Sequence, residues 1–162
     1  MDVNAPKSKL YIETTIISYL TARPSRDLVV AAHQQITQTW WDEQKIFYDL
    51  YISQLVVQEV SAGDQQAVER RLNFISELTL LALKDESLSL TRALISEKII
   101  PTQAIEDALH IAIATIHGME YLLTWNCKHI ANAMMRNKLS VCIKSFGYEP
   151  PVICTPEELL EV

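Results

Sequence analysis

Residues 10–15, Leu10-Tyr11-Ile12-Glu13-Thr14-Thr15, carry an apolar run that stops at a carboxylate. A run apolar at successive rather than alternate positions marks a strand covered on both faces, and such strands belong to parallel sheets flanked by helices. Residues 9–13 therefore read as a buried parallel strand ending at Glu13. Two more segments place acids among apolar residues. Ser53-Gln54-Leu55-Val56-Val57-Gln58-Glu59-Val60 holds Glu59 on a short apolar helix, and Ile105-Glu106-Asp107-Ala108-Leu109-His110-Ile111-Ala112 sets a carboxylate pair at the mouth of another. A buried acid is costly unless it is paired, protonated or bound to a cation. Three such acids far apart in sequence point to one site, and a hard divalent cation accounts for all of them.

Working outward, strands and helices alternate. A short helix is expected over Thr14 to Ala22, then a polar connection Arg23-Pro24-Ser25-Arg26, then a longer helix capped by Ser25 or Asp27 and running to about Glu43. A second strand falls around Phe47 to Ile52. Ser53 is positioned to cap the helix of Glu59, with Gly63 as its left-handed end. Asp64 caps the next helix, and 78–83 is compatible with a strand. A helix covers about Asp85 to Lys98. Pro101 marks the start of the helix that ends before Gly118. Tyr121 to Trp125 is a strand ending at Asn126, Lys128 to Asn137 a helix, and Val141 to Lys144 another strand. Thr155-Pro156-Glu157-Glu158 begins a final helical turn. The expectation is α/β: one domain over residues 1–162, core about 9–148 and C-terminal tail 149–162, with a central, mostly parallel sheet flanked by helices. In such sheets ligands bind beyond the carboxyl ends of the strands, where Glu13 and Asn126 fall.

Composition narrows the chemistry. With three glycines and no G-x-x-x-x-G-K or G-x-G-x-x-G, a glycine-rich phosphate loop is excluded. Cys127, Cys142 and Cys154 are too widely spaced for a metal knuckle and odd in number, which fits a reducing, cytoplasmic setting. No signal peptide or membrane span is read. The net charge of −6 advertises no basic footprint, though a bound metal and a local basic rim can offset it.

On the helix at 101–117, Gln103, Glu106, Asp107, His110, Ala114 and His117 fall in one sector, while Ile105, Leu109, Ala112, Ile113 and Ile116 cover the other side. Glu106 reads as an acid complementing the helix dipole, with metal ligation as its second assignment. Asp107 stands out because it heads a polar stripe on an otherwise apolar helix. His110 is placed to orient a carboxylate, and His129 to touch substrate or cap its helix. Trp40 and Trp41 read as packing residues, against the core or a partner.

At this point the residues carry a resemblance. Tyr-Ile-acid-Thr-Thr-Ile-Ile-Ser, Ile-Ser-x-Leu-Val-x-x-Glu, Asp-Ala-Leu-His-Ile-Ala-x-Ala and Leu-Leu-Thr-Trp-Asn-x-Lys-His-Ile, in this order over nearly the whole chain, resemble a PIN domain, most of all the VapC-type toxins of type II toxin–antitoxin pairs. The resemblance implies an Mg²⁺- or Mn²⁺-dependent endoribonuclease with a cognate antitoxin and a homodimeric assembly. It makes Glu13, Glu59 and Asp107 the metal ligands and Asn126 the fourth catalytic position. Arg23, Arg26 and Lys128 are the candidates for gripping RNA. The reaction so implied is metal-assisted hydrolysis, the acids holding the ion directly or through its waters at ~2.0–2.1 Å. The family's first acid is usually aspartate, and aspartate often stands where this chain has Asn126. One fewer negative charge implies weaker binding of a second ion. The alternatives are a catalytically weakened PIN-fold module that binds RNA or protein, and a DNA-directed phosphodiesterase. Without metal, the three acids are expected to repel one another and raise at least one carboxyl pKa.

Overall fold

The computed structural model describes residues 2 and 4–161. The run Leu10-Tyr11-Ile12, fully buried, is the core of strand β1 (Ser8–Ile12). This is the middle strand of a five-stranded, all-parallel sheet of order β3-β2-β1-β4-β5, with β2 at Tyr48–Ser53, β3 at Thr79–Leu81, β4 at Tyr121–Leu123 and β5 at Val152–Cys154. The helices are α1 (Thr14–Thr21), α2 (Leu28–Glu43), α3 (Gln54–Val60), α4 (Gln65–Ile75), α5 (Asp85–Ser96), α6 (Ile105–Ile116) and α7 (Ala133–Ser145). The expected α/β class, with helices flanking a parallel sheet, is the observed one.

Register brings the strand ends level. Tyr11 pairs with Tyr51 of β2 and with Leu122 of β4, and Ile12 pairs with Leu123. The next residues, Glu13 and Thr124, therefore meet at the carboxyl edge. The chain leaves β1 for β2 on one side and reaches β4 on the other, so this edge is where strand order reverses. Crevices in open parallel sheets form at such a point.

Local chemistry explains most element ends. Asp27 and Asp64 accept hydrogen bonds from Val30 N and Ala67 N, capping α2 and α4. Thr155 and Glu158 form a capping box on the turn Pro156–Leu159. Gly118 ends α6 with φ +67°. Trp40 is buried against Tyr48, and Trp41 lies against Phe74 with Lys45 Nζ 4.5 Å above its ring. Both tryptophans pack within the chain.

Five expectations need correction. The helix expected over Lys128 to Asn137 starts only at Ala133, where Asn132 caps it, and runs on to Ser145. Val141 to Lys144 is not a strand but the last part of α7. Its apolar residues follow a helical stripe, with Leu139, Cys142 and Ile143 buried and Val141 63% exposed. The fifth strand is instead β5, inside the segment read as a tail. Pro101 does not enter α6; it precedes a 3-10 turn at Thr102–Ala104, and α6 starts at Ile105. At that junction Ile105 turns outward and is 49% exposed rather than covered. Gly63, at φ +100°, shapes the turn between α3 and α4, since α3 already ends at Val60.

Candidate active site

Glu13 follows β1 directly and caps α1. Its Oε2 accepts from Thr15 N, Thr15 Oγ1 and Thr124 Oγ1 at 3.1, 2.5 and 2.7 Å, and the residue is only 3% exposed. Glu59 lies on α3, one turn after β2. Its Oε1 accepts from Thr14 Oγ1 at 2.6 Å and from His110 Nε2 at 2.5 Å. Asp107, in the first turn of α6, accepts on Oδ2 from His129 Nδ1 at 3.1 Å. Asn126 N donates to Thr124 Oγ1, and Asn126 Oδ1 accepts from His129 N at 3.0 Å. Asp107, His129, Asn126, Thr124 and Glu13 thus form one hydrogen-bonded sequence along the carboxyl edge. Glu59 stands outside that sequence: Thr14, the chain neighbour of Glu13, and His110 of α6 both donate to it. The structure joins Glu13, Asp107 and Asn126 in one hydrogen-bonded sequence and ties Glu59 to the same β1–α1 turn and to α6.

Behind Glu59 stands a buried relay that the sequence indicated only as His110 orienting a carboxylate. His110 is fully buried; its Nδ1 lies 2.7 Å from the Tyr11 hydroxyl, which lies 2.8 Å from Ser53 Oγ. Donor and acceptor along His110 Nδ1, the Tyr11 hydroxyl and Ser53 Oγ follow the protonation of the ring. Burial pushes the Tyr11 phenol up, so it stays protonated. Ser53 heads α3 yet makes no side-chain cap bond, because its hydroxyl serves Tyr11. A tyrosine within a run otherwise aliphatic was the available signal: a buried phenol demands a partner.

Electrostatics at Glu59 run opposite to the expected crowding. Burial pushes its carboxyl up, but the hydrogen bond and charge of His110, with Thr14 behind them, hold it below the ordinary carboxylate range. His110→Ala should leave a cavity, a buried phenol with only Ser53 as partner and a carboxylate with only Thr14, costing about 2–4 kcal/mol. Urea unfolding with an unchanged m-value would measure it, and a cost under ~1 kcal/mol would contradict this role.

A divalent cation can be tested against these donors. Among the described residues, no group of three or more His, Cys, Asp or Glu side chains is already gathered to hold a metal ion. The donor chemistry nevertheless fits. Glu13, Glu59 and Asp107 each have one oxygen held by protein donors, while Glu13 Oε1, Glu59 Oε2 and Asp107 Oδ1 have no hydrogen-bond partner among the described residues. Hard oxygen donors fixed at one atom and open at the other suit Mg²⁺ or Mn²⁺. Glu106 is exposed and joins no hydrogen bond here. Asn126→Asp would keep the acceptor for His129 N while adding a charge. It should tighten divalent-ion binding by about tenfold in calorimetry; unchanged affinity would place residue 126 away from the ion.

Arg23 and Arg26, between α1 and α2, and Lys128, after β4, are exposed and form no side-chain hydrogen bond or ion pair among the described residues. Arg23 and Arg26 lie on the loop at the far end of α1, not among the carboxylates. No helix among the described residues is long and apolar enough to cross a membrane.

The arrangement defines a PIN-like α/β fold: a five-stranded parallel sheet with carboxylates at its carboxyl edge. No family model matches the chain, and no curated relative does. Among solved structures the fold is similar to a chain in the crystal structure of VapBC2 from Rickettsia felis bound to a DNA fragment from their promoter. The TM-score is 0.57 at 16% identity, covering 91% of this chain and 98% of that one.

Proposed function

We propose that this protein is a metal-dependent endoribonuclease of the VapC type, the toxin of a toxin–antitoxin pair. One observation carries the reading: three carboxylates from distant elements come to the carboxyl end of the sheet, each with one oxygen clamped by protein donors and one open. The fold likeness to a chain of a VapBC2 complex supports it. Bound Mg²⁺ or Mn²⁺ would supply Lewis-acid polarisation of a phosphate and a hydroxide at neutral pH. The chain's own part is orientation. Glu13, Glu59 and Asp107 present their open oxygens, Thr14 and His110 fix the Glu59 carboxylate, and His129 fixes Asp107. Lys128 lies beside the site, and Arg23 and Arg26, on the exposed loop after α1, would hold RNA phosphates further along. A cognate antitoxin and a homodimer complete the proposal, in a cytoplasmic setting.

A second reading, a module that binds RNA without cutting it, is favoured by the burial of Glu13 and by the commitment of Asn126 Oδ1 to His129 N. Incubating purified protein with RNA, and in parallel with DNA, under Mg²⁺, Mn²⁺ or chelator separates the readings. Metal-dependent RNA cutting supports the nuclease. RNA binding without cutting supports the module, and preferential DNA cutting supports a DNA-directed phosphodiesterase. A gene for a small protein immediately upstream would support the antitoxin.

A further inference from the structure

We propose that the cavity between α1 and α2 is a nucleobase subsite in which Tyr19 stacks on one base of single-stranded RNA. This rests on the nuclease reading above and extends it to substrate contacts outside the carboxylate edge. The cavity, of about 330 Å³, is lined by Tyr19 and three glutamines and by the apolar Leu20, Ala22, Pro24 and Ala31. Its link to the carboxylates is short. Thr15 and Tyr19 are four residues apart on α1 and share one face, about one helical turn of 5.4 Å. Thr15 Oγ1 donates to Glu13 Oε2 and accepts from Trp125 N at 2.9 Å.

The Tyr19 ring is held in place. Trp125 meets it edge-on at 6.4 Å between centroids, and His33 lies tilted at 6.1 Å. His33 and Trp125 are themselves stacked at 3.9 Å and 11°, and Trp125 Nε1 donates to Thr37 Oγ1 at 2.7 Å. That stack pins α2 to the end of β4, so Tyr19 stands as a preorganised wall. Hydrogen-bonding capacity is left over around it. Among the described residues the Tyr19 hydroxyl makes no hydrogen bond, and Gln35 and Gln38 use only Nε2, toward Thr39 Oγ1 and Asp42 Oδ1. Gln34 is fully engaged, accepting from Ser25 N and donating to Arg23 O, which fixes the loop bearing the two free arginines. A protein helix docks through a continuous apolar stripe, whereas here the apolar residues share the cavity with a tyrosine ring and open amide oxygens. Together with the guanidinium groups of Arg23 and Arg26 flanking Pro24, in a chain of net charge −6, these match a base and its phosphate.

Fluorescence anisotropy with labelled oligouridylate and oligoadenylate, in chelator so that nothing is cut, tests the subsite. Tyr19→Ala should weaken binding by about tenfold or more while leaving the salt dependence unchanged, because stacking releases no counterions. Tyr19→Phe should stay near wild type. Arg23→Ala and Arg26→Ala should instead lower the slope of log K against log salt by about 0.7 each. If Tyr19→Ala does not fold, Tyr19→Leu replaces it, filling the volume without an aromatic face. Wild-type affinity in the alanine or leucine variant overturns the subsite, as does an equal loss in Tyr19→Phe. So does a variant that binds RNA normally but loses self-association by light scattering, which would make the cavity a protein contact. If wild-type protein cuts RNA and Tyr19→Ala changes neither binding nor KM, the subsite alone fails. If wild type neither binds nor cuts RNA, the nuclease reading fails with it.

Discussion

Glu59→Gln and Asp107→Asn should each abolish RNA cleavage, by more than about a hundredfold in kcat/KM, while wild type cuts with Mn²⁺ or Mg²⁺ and stops in chelator. Both substitutions are nearly isosteric. An amide oxygen at 59 can still accept from Thr14 and His110, and one at 107 can still accept from His129. The hydrogen-bonded edge therefore survives, and what is lost is the charge and the open carboxylate oxygen. Gel assays of a defined RNA with each variant would measure this. Cleavage that persists in both variants would remove Glu59 and Asp107 from the chemistry.

The second large effect is thermal. A divalent ion that binds only the folded chain stabilises it by RT ln(1 + [L]/Kd), about 2.7 kcal/mol at a hundredfold excess over Kd. For a chain of this size that is a rise of roughly 5–10 °C in melting temperature. Wild type should show that rise with Mn²⁺, and Asp107→Asn much less of it. Without metal, Asp107→Asn removes one negative charge near Glu13 and Glu59 yet keeps an acceptor for His129. It should melt at the wild-type temperature or above, so the two curves converge or cross as Mn²⁺ is added. Clear destabilisation without metal together with a full Mn²⁺ response would make Asp107 a structural acid at the start of α6.

Where a segment's fate is decided locally, it was legible. Leu10-Tyr11-Ile12 is apolar at successive positions because both faces of a central parallel strand are covered. Asp27 and Asp64 cap helices because a short carboxylate reaches the N–H three residues on. The misreading of Val141 to Lys144 has the same root. Four residues of mixed apolar character do not distinguish a strand from the end of a helix, and only the capping bond that Met134 N donates to Asn132 Oδ1 and the packing of α7 settle it. β5 was missed because three residues after a double proline carry too little pattern, and pairing with β4 makes them a strand.

By itself, then, the sequence determined the α/β class, the central strand and the acids that end at its carboxyl edge. Tertiary structure decided which oxygen of each acid stays open and where His110 goes. It also decided that Glu59 is held charged rather than driven toward protonation. Those outcomes depend on partners 45, 51 and 111 residues apart, at Thr14–Glu59, Glu59–His110 and Glu13–Thr124. Periodicity and capping reach only about one turn along the chain, whereas sheet register sets which distant side chains meet, and a carboxylate's charge follows the donors that register delivers to it.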